Sequence, residues 1–353
     1  MPSAATNKLR IAQIAPLWTP IPPATYGGIE LLLALLCDGL TARGHEVTLF
    51  ASGDCRTQAR LHATIPVNLS ALMASGDALM HEYYLNAVLA DALAAQDDFD
   101  VLHCHLPPTH LPLAAAAKTP SLFTLHTSPH ADDEWAMRRY PQVAVAAISR
   151  AQVAQASMGL GRDFPVVYNG VDFSAYTPSY EAGKYVAFLG RMSPQKNPLD
   201  AIRIARAAGL PIVLAGQPQN AAEEHYFAEK IRPLVDGDRV RWIGPVDHSQ
   251  KADLLRHAAA LVFPIAWDEP FGLVMIEAMA CGCPVLATHR GSVPEVVNAG
   301  VTGHTAASVE ELAALLPATL ALSRERVREQ AQARFSHTKM IDDYEALYRT
   351  LAR

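Results

Sequence analysis

Long apolar runs are missing from this chain of 353 residues. No run approaches the ~20 residues that a membrane-spanning helix needs, so the sequence predicts no such helix. The apolar stretch LRIAQIAP near the N-terminus has the length of a strand, and no small-residue cleavage site follows a longer apolar core. We therefore expect a soluble cytoplasmic protein, with loose attachment to a membrane surface left open.

Paired cysteines and clustered positive charge are also missing. The five cysteines are an odd number at no zinc-like spacing, which predicts reduced thiols. A net charge of −6 without a basic block argues against a nucleic-acid binder, although local basic residues can still hold one phosphorylated ligand. The hydrophobic fraction of 50% supplies a large core, and a chain of this length usually forms two domains.

Short apolar strands alternate with amphipathic helices in two successive series. The first series has candidate strands at 9–16, 45–52, 100–105, 120–127, 145–149 and 164–171, and the second at 185–191, 211–217, 239–246, 260–265 and 284–289. This alternation predicts an α/β protein with two Rossmann-like, doubly wound domains that face each other across a cleft. Ligands of such sheets bind beyond the carboxyl ends of the strands, so we expect the site there.

Domain boundaries follow from the polar, turn-rich stretch 172–184, which indicates a linker. We assign residues 1–172 to an N-terminal Rossmann-like domain and residues 173–335 to a C-terminal Rossmann-like domain. The tail 308–353 is helical by pattern, with Met340, Tyr344, Leu347 and Leu351 at helical spacing. We expect its last helix, about 336–353, to pack back on the first domain.

Two carboxylates flank the expected start of a helix in the stretch WDEPFGLVMIEAMACGCPVLA. Pro270 disfavours helical backbone at Glu269, which therefore belongs to the loop. Gly272 lets the backbone approach a ligand closely. A helix that begins near Leu273 presents unpaired amides and the positive end of its dipole, which favours an anion such as phosphate. Glu277 would lie roughly 6 Å along the helix axis from that start.

A nucleotide sugar suits this arrangement, with the ribose at Glu277, the phosphates at the helix start and the sugar at Glu269. A carboxylate that accepts two hydroxyl groups is a reason to keep a charge in an apolar helix. One glutamate alone would more simply face solvent or pair with an arginine. The pair around the Pro-Phe-Gly turn favours the ligand.

Two cations follow the end of the strand YVAFLGR. Arg191 and Lys196 lie five residues apart in RMSPQK, where they could hold a diphosphate leaving group. A solvated loop explains this segment equally well when it is considered alone.

Several segments together resemble one known family. Residues 269–285 (EPFGLVMIEAMACGCPV), PPATYGGIE at 22–30, SR at 149–150 with YNGVD at 168–172, FLGRMSPQKN at 188–197 and RVRWIGPV at 239–246 are similar to motifs of the family-4 retaining glycosyltransferases with the GT-B fold. The resemblance covers nearly the whole chain in order. It implies a metal-independent hexosyltransferase that needs no cofactor and takes a nucleoside-diphosphate sugar, of UDP or GDP type, as co-substrate, with a hydroxyl group as acceptor.

The resemblance also implies that residues 1–172 form the acceptor domain and residues 173–335 the nucleotide-sugar donor domain, and it implies roles for particular residues. The donor-binding residues would be Gly27, Gly28, Gly190, Arg191, Lys196, Val246, Glu269, Pro270, Phe271, Gly272, Leu273, Val274 and Glu277. The catalytic residues would be Arg191, Lys196, Glu269 and His126. Arg191, Lys196 and the helix amides would stabilise charge on the departing β-phosphate. His126 would contact the donor sugar, although a histidine that only caps a strand is the plainer alternative, and Tyr26 and Glu30 would face the acceptor.

Two acidic strings and a pair of histidines are the candidate metal ligands of this sequence. The strings DFD at 98–100 and DGD at 236–238 fall where turns are expected. His103 and His105 share a strand face, but the sequence shows no third ligand beside them. We therefore expect no metal site.

Two other functions remain open at this stage. A GT-B-fold nucleotide-sugar epimerase would use the donor alone, and a non-catalytic sugar-binding protein would share the two-domain architecture. The sequence is compatible with a monomer or a homodimer.

Overall fold

The computed structural model describes residues 8–23, 27–181 and 183–353. The chain divides into two compact units: unit 1 comprises residues 1–169 and 337–353, and unit 2 comprises residues 170–336. The sequence-based boundary lies after residue 172, three residues beyond this division. Within the described ranges, no helix is long and apolar enough to cross a membrane.

Unit 1 is built on one parallel sheet. Its strands are β1 (Arg10–Ile14), β2 (Glu46–Ser52), β3 (Arg60–Ile65), β4 (Val101–Cys104), β5 (Ser121–Thr124) and β6 (Ala144–Ala146). Its helices are α1 (Gly28–Ala42), α2 (Leu69–Ser75), α3 (His81–Ala94), α4 (Leu111–Ala114), α5 (Ala131–Arg139), α6 (Arg150–Leu160) and α14 (His337–Leu351). The strands lie in the order β3-β2-β1-β4-β5-β6. Because helices cover both faces of such a sheet, the central strand β4 is buried throughout, and β1 is buried after Arg10.

Unit 2 repeats this plan. Its strands are β7 (Tyr185–Leu189), β8 (Ile212–Ala215), β9 (Val240–Trp242), β10 (Ala258–Phe263), β11 (Val285–Thr288) and β12 (Gly303–Ala306). Its helices are α7 (Pro198–Ala207), α8 (Ala221–Tyr226), α9 (His248–His257), α10 (Leu273–Ala280), α11 (Val293–Val296), α12 (Val309–Leu320) and α13 (Arg324–Phe335). The sheet order β12-β11-β10-β7-β8-β9 is that of unit 1 when strands are counted within each unit. Both units are therefore Rossmann-like, and the predicted α/β class is confirmed.

The sequence missed or misplaced a few strands. Residues 164–171 form only isolated bridges at Val166 and Val171, since Pro165 has no amide hydrogen for a ladder. The edge strand β3, RLHATI, was missed because its apolar residues alternate with polar ones and form no continuous apolar run. The edge strand β12, GHTA, was missed because Ala306 is its only apolar side chain. The strand predicted at 239–246 ends after Trp242.

The C-terminal helix α14 belongs to unit 1 and packs on α1. Gly39 of α1 leaves the space for Ile341, because a Cβ atom at that position would lie 2.2 Å from the Ile341 side chain. Arg43 donates a hydrogen bond of 2.8 Å to Glu345 beside this contact. The buried face consists of Met340, Ile341, Tyr344 and Tyr348. The predicted stripe was wrong in part, because Leu347 and Leu351 are only half-buried and Tyr348 is fully buried.

Candidate functional site

The loop that contains Glu269 follows β10 and is held by the loop that follows β11. The amide of Ser292 donates to the Glu269 carbonyl at 2.9 Å, and its hydroxyl donates to the Phe271 carbonyl at 2.8 Å. Gly291, with a φ of +52°, packs against the Glu269 backbone so closely that a Cβ would lie 2.4 Å from its nitrogen. The segment GSVPE thus fixes the position of Glu269, a contribution that the sequence analysis did not identify.

Glu269 and Lys196 form an ion pair at the carboxyl end of the unit 2 sheet. The Lys196 ammonium donates to Glu269 Oε2 at 2.5 Å, and the Trp267 indole donates to the same oxygen at 2.9 Å. The ammonium also lies 5.1 Å from the Trp267 ring centre and 5.6 Å from that of Phe263, within the range of cation–π attraction. The side chains of Lys196 and Glu269 are 15% and 10% exposed, so both are mostly removed from water.

The backbone around Lys196 is fixed by the start of α7. Asn197 has a φ of 59°, a left-handed conformation that asparagine tolerates, and its side chain accepts from the Asp200 amide. Pro198 occupies the first position of the helix, where its missing amide hydrogen costs nothing. The sequence Lys-Asn-Pro therefore ends the loop at a defined point and places Lys196 beside Glu269.

Arg191 lies in the same loop but pairs with a different carboxylate. Its guanidinium donates to Glu223 Oε1 at 2.9 Å and to Gln195 Oε1 at 3.4 Å. The other Glu223 oxygen accepts from the Gln219 amide at 2.8 Å, so both Glu223 oxygens are engaged. Sequence reasoning missed Glu223, which belongs to a helix 32 positions further along the chain.

Three adjacent strands, β7, β8 and β9, are each followed by a glycine at this edge. The Gly190 amide donates to the carbonyl of Ala215, and the Gly216 amide donates to Gly244 at 2.7 Å. A Cβ on Gly216, whose φ is +124°, would lie 2.0 Å from the Gly190 carbonyl oxygen. A Cβ on Gly190 would meet only ordinary contacts at 3.6 Å and beyond. Val246 lies half-buried two residues after Gly244, just before α9.

The helix α10 begins as predicted at Leu273, with Gly272 as its N-cap at a φ of 78° and no side-chain cap. Pro270 and Phe271 precede this cap, and Phe271 is buried. Gly272, Leu273 and Val274 are half-buried, whereas every later residue of the helix is buried. The start of α10, with its unpaired amides, therefore reaches the surface of unit 2.

Glu277 is 5% exposed inside α10 and has two partners. Its Oε1 accepts a hydrogen bond of 3.1 Å from the Tyr176 hydroxyl and one from the Lys251 ammonium. Its Oε2 accepts none from the described part of the chain. Burial raises the pKa of Tyr176 and the neighbouring Glu277 charge raises it further, so the hydroxyl stays protonated and donates. The pairing with arginine considered above is replaced by lysine and tyrosine, both missed by the sequence analysis.

His126 lies in unit 1, two residues after the end of β5. Its Nε2 is 3.0 Å from Nδ1 of His105, and the two rings stack with centres 5.3 Å apart. Burial lowers the pKa of His126 to about 4 and that of His105 well below its usual value, so both rings are neutral near pH 7. His103 is also buried, and burial lowers its pKa in the same way.

The glycine-rich loop before α1 also belongs to unit 1. Gly27 is the N-cap of α1, and a Cβ there would lie 2.8 Å from Pro23. Gly28 is the first residue of the helix, and Glu30 in its first turn is 6% exposed, with burial raising the pKa of its carboxyl group. Tyr26 lies outside the described residues.

The acidic strings and paired histidines have structural partners. Asp100 bonds Arg10, and Asp236 accepts from the amides of Asp238 and Val240 in a turn. In the ranges that the structure describes, no group of three histidine, cysteine or acidic side chains is arranged to hold a metal ion.

Solved structures share this architecture over the whole chain. AviGT4, a glycosyltransferase involved in avilamycin A biosynthesis, is 28% identical, with a TM-score of 0.71 over 98% of both chains. Sucrose-phosphate synthase from Thermosynechococcus elongatus is 21% identical, with a TM-score of 0.75 over 98% of this chain and 99% of that one. The two Rossmann-like units therefore define the GT-B fold of glycosyltransferases.

Sequence comparisons identify the family. The model of Glycosyltransferase Family 4 matches residues 26–175, and that of Glycosyl transferases group 1 matches residues 173–334. The phosphatidyl-myo-inositol mannosyltransferase of Mycobacterium leprae is 26% identical over 90% of this chain and 88% of its own. The D-inositol 3-phosphate glycosyltransferase of Mycolicibacterium smegmatis is 34% identical, but over only 49% of this chain and 44% of its own. The chain belongs to the family-4 glycosyltransferases.

Proposed function

We propose that the protein is a retaining, metal-independent glycosyltransferase that moves a hexose-type sugar from a nucleoside-diphosphate sugar to an acceptor hydroxyl group. The observation that supports this most directly is that Glu269 precedes and Glu277 follows, along the chain, the start of α10, which has no side-chain cap. The amides at that start suit phosphate, and each carboxylate suits hydroxyl groups. A donor of UDP or GDP type meets these requirements.

The ion pair between Lys196 and Glu269 suggests how the donor is accepted. A partly buried charge is costly unless it has a partner, and here each residue supplies the other's partner. On donor binding, the diphosphate would take the Lys196 ammonium and the sugar hydroxyls would take the Glu269 carboxylate. Both charges then exchange one partner for another, and neither is left buried alone. Glu277 would hold the ribose through Oε2, since both of its existing bonds fall on Oε1.

The chemical step follows from this placement. The bond between the anomeric carbon and the β-phosphate oxygen breaks, and the acceptor oxygen bonds to the anomeric carbon on the same face. The acceptor proton passes to the departing β-phosphate oxygen. Lys196, Arg191 and the α10 amides would stabilise the negative charge that develops there, which is where such groups lower a barrier most. His126 stays a predicted contact of the donor sugar.

The acceptor is proposed only by class. The mycobacterial relatives named above are described as acting on phosphatidyl-myo-inositol and D-inositol 3-phosphate. Both names contain a cyclic polyol, so hydroxyl-rich polyols head the panel of acceptors to be tested.

The first experiment is a thermal-shift screen with nucleoside diphosphates and nucleotide sugars. A ligand at a hundred times its Kd stabilises the folded state by about 2.7 kcal/mol, which gives a clear rise in Tm. Donors that bind are then incubated with the acceptor panel in the presence and absence of EDTA, and the anomeric configuration of the product is read by NMR.

Each outcome of this assay has a distinct meaning. Transfer with retained configuration in EDTA supports the proposal, and an inverted product or a strict metal requirement contradicts it. Rapid epimer formation from the donor alone would indicate an epimerase. Tight binding of free sugar without turnover of any donor would indicate a sugar-binding protein.

A further inference from the structure

A continuous chain of buried side-chain hydrogen bonds runs through unit 1 behind His126. It joins three histidines, a glutamine, a threonine and two tyrosines, and we call it the His126 chain. In order, its members are His126, His105, Gln13, Tyr348, His103, Thr124 and Tyr344. Apart from His126, these residues are buried, and none of them is charged near pH 7. The proposed chemistry uses only the first member.

The orientation of the Gln13 amide decides which ring nitrogens are protonated. Gln13 Oε1 lies 3.0 Å from Nε2 of His105, and a carbonyl oxygen can only accept. His105 therefore has its proton on Nε2, and its Nδ1 is an acceptor because the ring is neutral. The His126 nitrogen 3.0 Å from that Nδ1 must then be the donor, so His126 is the Nε2–H tautomer.

The hydrogen bonds on the other side of Gln13 have donors and acceptors that are consistent with this assignment. Gln13 Nε2 donates to the Tyr348 oxygen at 2.9 Å, so Tyr348 gives its one proton to Nδ1 of His103 at 2.6 Å. His103 then donates from Nε2 to Thr124 at 2.7 Å. A half-turn of the Gln13 amide would reverse every bond and give His126 the opposite tautomer. The orientation of the Gln13 amide therefore couples the direction of the bonds on its two sides, at His126 and at His103.

Among the six ring nitrogens of the three histidines, only Nδ1 of His126 has no partner within the His126 chain. It accepts no hydrogen bond from the residues that the structure describes, and the His126 residue is only half-buried. In the tautomer set by the chain, Nδ1 has a lone pair and no proton, so it can only accept. In the reversed chain, the same atom could only donate.

We propose that Tyr348 and Gln13 are positioning residues that act through His105 to hold His126 in the Nε2–H tautomer, so that its Nδ1 accepts a hydrogen bond from a sugar hydroxyl group. The identity of the ligand rests on the proposed function, whereas the tautomer does not. The C-terminal helix α14, which supplies Tyr348, thereby contributes to the properties of a residue encoded more than two hundred positions earlier.

The tautomer is measured on the full-length protein without any substrate. Histidines are labelled with ¹⁵N, and a long-range proton–nitrogen correlation near pH 7 shows which ring nitrogen of each histidine is protonated. The His126 signals are assigned by their loss in His126→Gln. We expect a protonated Nε2 and an unprotonated Nδ1. The opposite tautomer, or a rapid mixture of the two, would overturn the proposal.

Two tyrosines of α14 provide a matched pair of variants. Tyr348→Phe removes the acceptor of Gln13, frees its amide to turn, and should give His126 a mixture of tautomers. Tyr344→Phe removes an equally buried hydroxyl one turn away, but only at the far end of the chain, and should leave His126 as in the wild type. If the two variants have the same His126 spectrum, the proposal is wrong. Should Tyr348→Phe not fold, Gln13→Met breaks the same bonds.

Turnover then tests the role of the tautomer. Tyr348→Phe should lower kcat/KM by up to about tenfold, the factor that one hydrogen bond contributes, with Tyr344→Phe within about twofold of the wild type. A mixed tautomer with unchanged turnover would overturn the assignment of Nδ1 as a substrate contact. If the wild type turns over no nucleotide sugar, the proposed function fails, while the NMR result still decides whether Tyr348 sets the tautomer.

Discussion

The two units have the same strand order, but the side chains where their strands end are charged in unit 2 and neutral in unit 1. In unit 2, Arg191, Lys196 and Lys251 each pair with a glutamate around that edge. In unit 1, the corresponding edge holds neutral histidines connected to an amide and phenol groups. The doubly wound sheet therefore determines where a site is found, whereas the side chains that follow the strands determine what it can bind.

This difference has a physical consequence for ligand binding. A paired charge can exchange its partner for a ligand charge, so unit 2 can accept an anion without creating an unpaired ion. In a neutral hydrogen-bonded chain each atom has a fixed role as donor or acceptor. Unit 1 therefore suits a ligand hydroxyl group that binds in one orientation, as a donor. The predictions below test these two behaviours, beginning with the largest expected effect.

Removing the charge of Lys196 should cause the largest loss of turnover. Lys196→Met keeps an apolar stem beside Phe263 and Trp267, but it removes the cation that pairs with Glu269 and one of the two cations proposed for the diphosphate. We expect turnover to fall by about a hundred- to a thousandfold, as when one group that stabilises a transition-state charge is removed. Steady-state kinetics measures the loss, with the exposed Lys230→Met as the control. Wild-type turnover in Lys196→Met would refute its assigned role.

Alanine substitutions at two glycines of the unit 2 edge, Gly216 and Gly190, should differ sharply in their effect on stability. Gly216→Ala places a Cβ 2.0 Å from the Gly190 carbonyl at a φ of +124°. We expect it to lower the free energy of unfolding by about 2 kcal/mol or more. Gly190→Ala meets only ordinary contacts and should change it by less than about 0.5 kcal/mol. Urea denaturation of both variants measures the difference, and equal losses would contradict this account.

Changing Glu277 should affect the donor more than the chemical step. Glu277→Gln keeps the shape of the side chain but removes the charge that would accept ribose hydroxyls. Because hydrogen bonds to charged groups contribute about 1.5–3 kcal/mol, we expect donor affinity to fall by about ten- to a hundredfold, with kcat less affected. Calorimetric titration with donor gives the affinity. Tyr176→Phe removes only one bond to Oε1, so it should have the smaller effect.

Lowering the pH should destabilise the fold of unit 1, because its buried histidines are neutral. Burial lowers the pKa of His126 to about 4, and it also lowers the pKa values of His103 and His105. The unfolded chain therefore binds more protons below about pH 6.5, so the stability from these groups is complete above that pH and is lost as the pH falls toward about 4. We expect the Tm to fall steadily in this window. His45 and His110, whose pKa values burial also lowers, act in the same direction.

A Tm that stays constant between about pH 6.5 and about pH 4.5 would contradict the neutral state of the His126 chain. His126→Gln provides the comparison, since glutamine keeps a hydrogen-bonding side chain without a titrating ring. Its Tm should fall less steeply with acid than that of the wild type.

Local sequence patterns predicted much of the fold and part of the site. The alternation of apolar strands and helices identified most strands, and the edge strands β3 and β12 were missed because neither contains a continuous apolar run. Glu269, Glu277, Arg191 and Lys196 stood out because they occupy short motifs. The roles assigned to them stay predictions until they are measured.

The partners of these residues could not be predicted from local patterns. Tyr176 lies 101 positions and Lys251 lies 26 positions before Glu277, and neither belongs to a motif. Trp267, only two positions before Glu269, could have been found, since an indole so close to a loop carboxylate is a natural donor. Tyr348 was missed because the helical stripe was placed one position away, on Leu347.

The helix α14 has a consequence for the synthesis of the protein. The hydrogen bond between Gln13 and Tyr348 joins positions 335 apart, so unit 1 cannot complete its interior until its last helix has left the ribosome. Until then, Gln13 and His103 each lack their hydrogen bond to Tyr348, and the Gly39 groove on α1 lacks Ile341. Unit 2 is encoded between these pieces, and as a compact body it shortens the loop that must close. A nascent chain that stalls before residue 337 would therefore expose a recognisable defect to chaperones and proteases.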